Sequence, residues 1–187
     1  DAEDKISRAE KDSVANYAFY LGLTNDNIDE ATSTDTDLIG GLKLFLGSST
    51  GNMLVNDPAL LDRLMRNTKR LIAVHSEDEN TIRRNTEAVK AEYAVREVPI
   101  RMHPVIRSEE ACYIATKQIT QAAREREARL HVMHLSTRKE LELCDEGKAA
   151  DKLVTAETCP QYLMLNDTMY DTLGARMKCN PAIKTAA

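Results

Sequence analysis

The sequence predicts an α/β protein built on a parallel sheet. Short apolar segments of strand length alternate with longer segments of helical period, the rhythm of parallel strands joined by helical crossovers. The chain has 187 residues, 42% of them apolar and 29% charged, enough for one ordinary domain with a sizeable core. Polar side chains gather at the ends of the strand segments, where parallel α/β folds build their sites.

The first strand is expected in SVANYAFYLGLT, residues 13–24, ending at Gly22 and the polar TNDN. GLKLFLG, residues 41–47, is the second, closed by GSSTGN. DPALLDRLMRNTKR, residues 57–70, reads as a helix: Asp57 suits the N-cap, Pro58 the first turn, and Leu60, Leu61, Leu64 and Met65 share one face. LIAVHSED, residues 71–78, is the third strand, followed by two long helices near 79–95 and 108–128. Glu109 and Glu110 lie in the first turn of the latter, where the helix dipole favours them. RLHVMHLS, residues 129–136, is the fourth strand and TRKELELCDEG, residues 137–147, a short helix. KLVTAETC, residues 152–159, is the fifth strand and ARMKCNPAI, residues 175–183, a sixth ended by Pro181. Both a doubly wound sheet and a (β/α)8 barrel give this rhythm.

Several functions are disfavoured. No G-x-G-x-x-G follows the first strand, and GSSTGN lacks the lysine of a P-loop. The net charge of -5 and the lack of a dense basic block give no footprint for nucleic acid. No apolar run is long enough to span a bilayer, and the charged opening DAEDKISRAEKD does not read as a secretory leader. Cys112, Cys144, Cys159 and Cys179 form no C-x-x-C pair, as expected of reduced thiols in a cytoplasmic protein rather than a zinc–cysteine site.

The candidate site residues lie on the strands. Lys43 falls inside the second, while His75, His134, Glu157 and Asn180 end the third to sixth. A strand-end histidine often serves only to hold a neighbouring loop. Lys43 is less easily explained: a lysine buried in a parallel strand must lose its charge, pair or be modified, unless an edge position lets it reach water. His131, three residues before His134, is expected on the opposite face, packed under a helix. His103, before Pro104, reads as a structural contact.

GLKLFLGSSTGNMLV, AVHSEDE, HPVIRSEEAC, RLHVMHLST and KCNPAIKTAA, in that order, closely resemble the dihydroorotase family of metal-dependent cyclic amidohydrolases. The resemblance implies part of a (β/α)8 TIM barrel, roughly its strands 3 to 7, with residues 1–187 as a partial barrel domain. It implies that Lys43 takes up carbon dioxide and, as a carbamate, bridges two divalent metal ions, usually zinc. His75 and His134 would be further metal ligands, and Asn180 would contact the substrate. Glu157 would be a structural acid beside the ligands. The family's first-strand H-x-H pair and strand-eight catalytic aspartate are not found, nor is its β-sandwich domain. No catalytic residue is therefore expected within this segment, which alone should be inactive. The implied reaction is the reversible hydrolysis of L-dihydroorotate to N-carbamoyl-L-aspartate in pyrimidine biosynthesis. ETCPQYLML is more like hydantoinase and dihydropyrimidinase, so these, an allantoinase, or a relative that has lost catalysis are the alternatives. The expected partners are a small-molecule substrate and a second copy in a homodimer, with no nucleic acid and no membrane.

Overall fold

The computed structural model describes residues 2–34, 37–47 and 51–186. Five strands, β1 (Tyr20–Gly22), β2 (Gly41–Phe45), β3 (Ile72–His75), β4 (Leu130–Leu135) and β5 (Val154–Thr158), form one sheet in sequence order. Every pairing is parallel. A doubly wound sheet reverses its strand order at a switch point. This sheet runs straight through, as a stretch of barrel wall does. The helices are α1 (Ala2–Asp12), α2 (Ile28–Ser33), α3 (Pro58–Asn67), α4 (Glu79–Tyr93), α5 (His103–Ile106), α6 (Glu109–Glu125), α7 (Pro160–Met164) and α8 (Tyr170–Leu173).

Local chemistry fixes where the main helices start. Asp57 caps α3 by accepting from the Ala59 amide at 2.8 Å, with Pro58 in the first turn where no donor is needed. Asp78 accepts from Thr81 N at 2.7 Å to start α4, and Ser108 from Ala111 N at 3.3 Å to start α6.

Register then sorts the strand residues onto two faces. Leu42, Leu44, Ile72, Val74, Leu130, Val132 and Val154 are all buried and pack with Leu64 and Met65 of α3 and Ala115, Ile119 and Ala123 of α6. Each such side chain contributes about 1.5–3 kcal/mol by leaving water. The intervening residues point the other way. Lys43 pairs with Gly22 and Ala73, Ala73 with His131, and His131 with Thr155, so one row crosses the opposite face. His131 is therefore not under a helix, as its spacing from His134 suggested. The helix-facing positions belong to Leu130 and Val132, and His131 alternates with them.

Three further expectations change. The first strand shrinks to three residues, because only Tyr20, Leu21 and Gly22 have partners on β2, and Val14 is fully exposed. Residues 137–147 form a 3-10 helix only at Lys139–Leu143. No sixth strand forms among the described residues. Gly174–Met177 is a 3-10 turn, and the chain beyond it is held by side chains. Tyr162 donates to the Pro181 carbonyl at 2.8 Å and Tyr170 to that of Ile183 at 3.2 Å. These tyrosines, with Met177 and Ile183, form a second small apolar cluster. Ser48, Ser49 and Thr50 of the GSSTGN motif lie outside the described residues. Helix α1 was not expected from its polar composition. It buries no residue, and only Ala2, Ile6 and Ala9, on one side, are half-covered.

Candidate metal centre

His75 ends β3 and is almost wholly buried. His134 sits one strand away in β4, where the register with β5 shifts between Val132 and Leu135. Its backbone is in the left-handed region, φ 44°, which bulky residues adopt only when the surroundings require it. This irregularity brings His134 beside His75. His75 Nδ1 is 3.3 Å from His134 Nε2, and the ring centroids are 4.9 Å apart. His134 Nδ1 is buried with no hydrogen-bond partner among the described residues.

Lys43 approaches from β2. Its Nζ lies 4.4 Å from the centre of the Phe45 ring and 3.1 Å from Met133 Sδ. Phe45 in turn packs against His75 at 5.7 Å between ring centres. Burial lowers the Lys43 ammonium to about 8, partly offset by the Glu157 carboxylate. Burial, followed by the charges of His75 and Lys43, lowers His134 to about 4, so its ring is neutral at pH 7. Neutral imidazoles offer lone pairs, which is the form a metal ion needs. Two nitrogens bound at ~2.05 Å to a tetrahedral ion stand about 3.3 Å apart. The His75–His134 spacing therefore suits two ligands of one ion. Among the described residues no group of three His, Cys, Asp or Glu side chains is gathered to hold a metal. Lys43 would add a third donor beside the two histidines only as an uncharged or anionic group.

Asn180 is placed differently. It is exposed and hydrogen-bonds neither histidine. Its neighbour Cys179 accepts from His103 Nε2 at 2.9 Å, so His103 acts as the structural contact expected. Glu157 lies near His131, Oε2 to Nε2 3.4 Å, while His131 Nδ1 meets Thr155 Oγ1 at 2.8 Å.

Three charged residues escaped the sequence reading. Glu77 is fully buried, its Oε2 2.7 Å from His75 Nε2 and also bonded to Arg107 Nη1. Burial alone would push the Glu77 carboxyl up, but the hydrogen bond to His75 and the Arg107 charge outweigh it and hold the group below the usual carboxylate range. The acid two residues after His75 was a readable signal. Arg107, thirty residues on, gave none. Lys184 is buried and donates to Ser136 Oγ at 2.8 Å and to the Ala182 carbonyl at 2.9 Å. It borders a cavity of about 600 Å³ at the ends of β4 and β5, with Ser136, Arg138, Glu157, Thr158 and Tyr162.

No family model matches the chain. Among curated proteins it is 31% identical over 191 residues to an allantoinase of Deinococcus radiodurans, covering 99% of this chain and 42% of that protein. It is 33% identical over 148 residues to a dihydroorotase of the same organism, covering 74% of the chain and 33% of the relative. The chain belongs to the cyclic amidohydrolase family. It spans about 40% of the length of the curated relatives it matches. Among solved structures this amidohydrolase chain superposes on the L-hydantoinase (dihydropyrimidinase) of Arthrobacter aurescens with a TM-score of 0.82 at 21% identity, covering 99% of the chain and 41% of that structure. A dihydroorotase from Campylobacter jejuni gives 0.52 at 16%, covering 97% and 46%. At these identities the likeness shows the fold, a partial barrel. Allantoinase names outnumber dihydroorotase names among the curated relatives, so the comparisons support the cyclic amidohydrolase family and not dihydroorotase in particular. Among the described residues no helix is long and apolar enough to cross a membrane.

Proposed function

We propose that this chain is the central part of a cytoplasmic cyclic amide hydrolase that interconverts L-dihydroorotate and N-carbamoyl-L-aspartate. The observation that carries the hydrolase reading is the His75 Nδ1–His134 Nε2 pair at 3.3 Å, with Lys43 beside it at depressed basicity. His75, His134 and Lys43 would hold divalent ions, zinc being among those that imidazole donors suit. When bound, such ions supply carbonyl polarisation and a nucleophile at neutral pH.

Lys43 contributes through its own chemistry. With the ammonium at about 8, about one lysine in ten is neutral at pH 7, against about one in three thousand at an unperturbed value near 10.5. The neutral Nζ forms a C–N bond to carbon dioxide and releases a proton to solvent. The product is an anion in place of a cation. It removes the repulsion that Lys43 exerts on His134 and adds two oxygen donors. Asn180 offers both a donor and an acceptor to a ring edge. The ligands and the proton-transfer group not found here would come from barrel strands outside residues 1–187, and the active protein would be a homodimer.

Dihydroorotate is preferred because GLKLFLGSSTGNMLV and KCNPAIK resemble that family. The second reading, allantoin hydrolysis, is favoured by the allantoinase names among the curated relatives. The full-length protein assayed side by side on dihydroorotate, allantoin and dihydrouracil decides between them. Lys43→Ala should abolish turnover of the preferred substrate and lower bound zinc. Turnover that survives Lys43→Ala nearly intact would overturn the metal-bridging role given to Lys43, and no turnover of any of the three substrates by the unsubstituted protein would overturn the hydrolase reading.

A further inference from the structure

We propose that Glu77 and Arg107 are positioning residues: together they lock His75 in the tautomer that carries its proton on Nε2 and turns the Nδ1 lone pair toward His134. The link to metal binding rests on the reading above, whereas the tautomer itself does not.

The argument begins with Glu77 Oε2. It receives two groups at once, His75 Nε2 at 2.7 Å and Arg107 Nη1. A guanidinium only donates and keeps its charge, so it holds the Glu77 carboxyl ionised. An ionised carboxylate only accepts. His75 Nε2 must therefore be the donor, and in the neutral ring Nδ1 keeps its lone pair. That nitrogen is the one 3.3 Å from His134 Nε2. Without Glu77 the ring could take the other tautomer and direct a proton at His134 instead.

The pair is built into the fold on both sides. Glu77 is fully buried, and the Arg107 side chain is 11% exposed. Arg107 follows directly on α5. Asn85 of α4 ties that helix by donating to the carbonyls of Val105 and Ile106, each at 3.2 Å. At its other end His103 is bonded to the Cys179 carbonyl. The guanidinium is thus set in place before any ligand arrives, the condition for orienting a donor rather than following it. An ion pair serving stability alone has no need to share one oxygen with the imidazole.

Nitrogen-15 NMR of metal-free protein with labelled histidine reads the tautomer directly. We expect His75 as the Nε2–H form in the unsubstituted protein, and a mixture of tautomers in Glu77→Gln and Arg107→Gln. Zinc affinity, measured by competition with a chromophoric chelator, should fall about ten- to a hundred-fold in both variants. The double variant should be little worse than either alone, because the two act through one nitrogen. Nδ1–H His75 in the unsubstituted protein would overturn the proposal even if neither variant folds. So would variants that fold with the Nε2–H tautomer and zinc affinity unchanged. If the unsubstituted protein shows the Nε2–H tautomer, lost in the variants, yet binds no zinc, the positioning role stands and the metal reading fails.

Discussion

Adding one methyl group to Gly47 should loosen His75 on the neighbouring strand. Gly47 follows β2 and touches the chain just beyond β3. A Cβ built there would lie 2.4 Å from the Glu77 carbonyl oxygen and 3.1 Å from its carbon, where ordinary contact begins at 3.4 Å. Both are backbone atoms, so neither can swing aside as a side-chain tip would. Relief requires the two segments to part by about 1 Å, an overpacking that costs about 1–3 kcal/mol. In a chain of this size that lowers Tm by about 2–12 °C. The same shift stretches the 2.7 Å bond from His75 to Glu77 toward the limit of a hydrogen bond. Gly47→Ala should therefore weaken zinc binding about tenfold as well as stability, since such sites tolerate only about 0.5 Å of displacement. Calorimetry gives the first quantity and chelator competition the second. A Gly47→Ala protein that melts and binds zinc as the unsubstituted protein does would refute the contact and the dependence built on it.

Other outcomes follow from the two faces of the sheet. Leu44→Ala, at a fully buried position facing the helices, should cost about 2–5 kcal/mol in urea denaturation; a loss below about 1 kcal/mol would mean that face is loosely packed. Burial pushes the Cys112 thiol up to about 12. Its folded value lies above the unfolded one near 9, so its contribution is whole below pH 9 and is lost as pH rises toward 12, by up to about 1.4 kcal/mol per unit. Cys112→Ala should flatten the alkaline fall of stability, and an unchanged slope would contradict the burial. In the full-length protein, Asn180→Ala should raise KM with zinc content unchanged, as fits an exposed residue apart from the histidine pair; loss of zinc would place it elsewhere.

What the sequence revealed and what it hid divide along physical lines. Strands β2 and β3 and the cap of α3 depend on neighbours within a few residues, so apolar runs and Asp57 announced them. The same holds for the row of polar strand residues, since alternation is a local property. The placement of His134 was not local. Period-two counting put it opposite His131, but the shift in β4 pairing and the left-handed backbone at His134 turned it toward His75. The first strand was overread because a strand lasts only as long as its partner, and β2 offers three residues to it. The sixth was overread because 178–184 finds tyrosine hydroxyls rather than a ladder. Arg107 meets Glu77 only through the placement of α5, which no periodicity records.

The alternation in the sheet has a consequence for how such a protein can change. Along β2, Leu42 and Leu44 answer to the helices, while Lys43 and Phe45, alternating with them, face the site. Adjacent residues thus carry unrelated duties. A lineage can rework its chemistry one residue at a time without disturbing the packing that keeps it folded. Point substitution is therefore the open road to new substrates. Insertion or deletion of a single residue within a strand is the closed one, because it would trade the two sets of duties all at once.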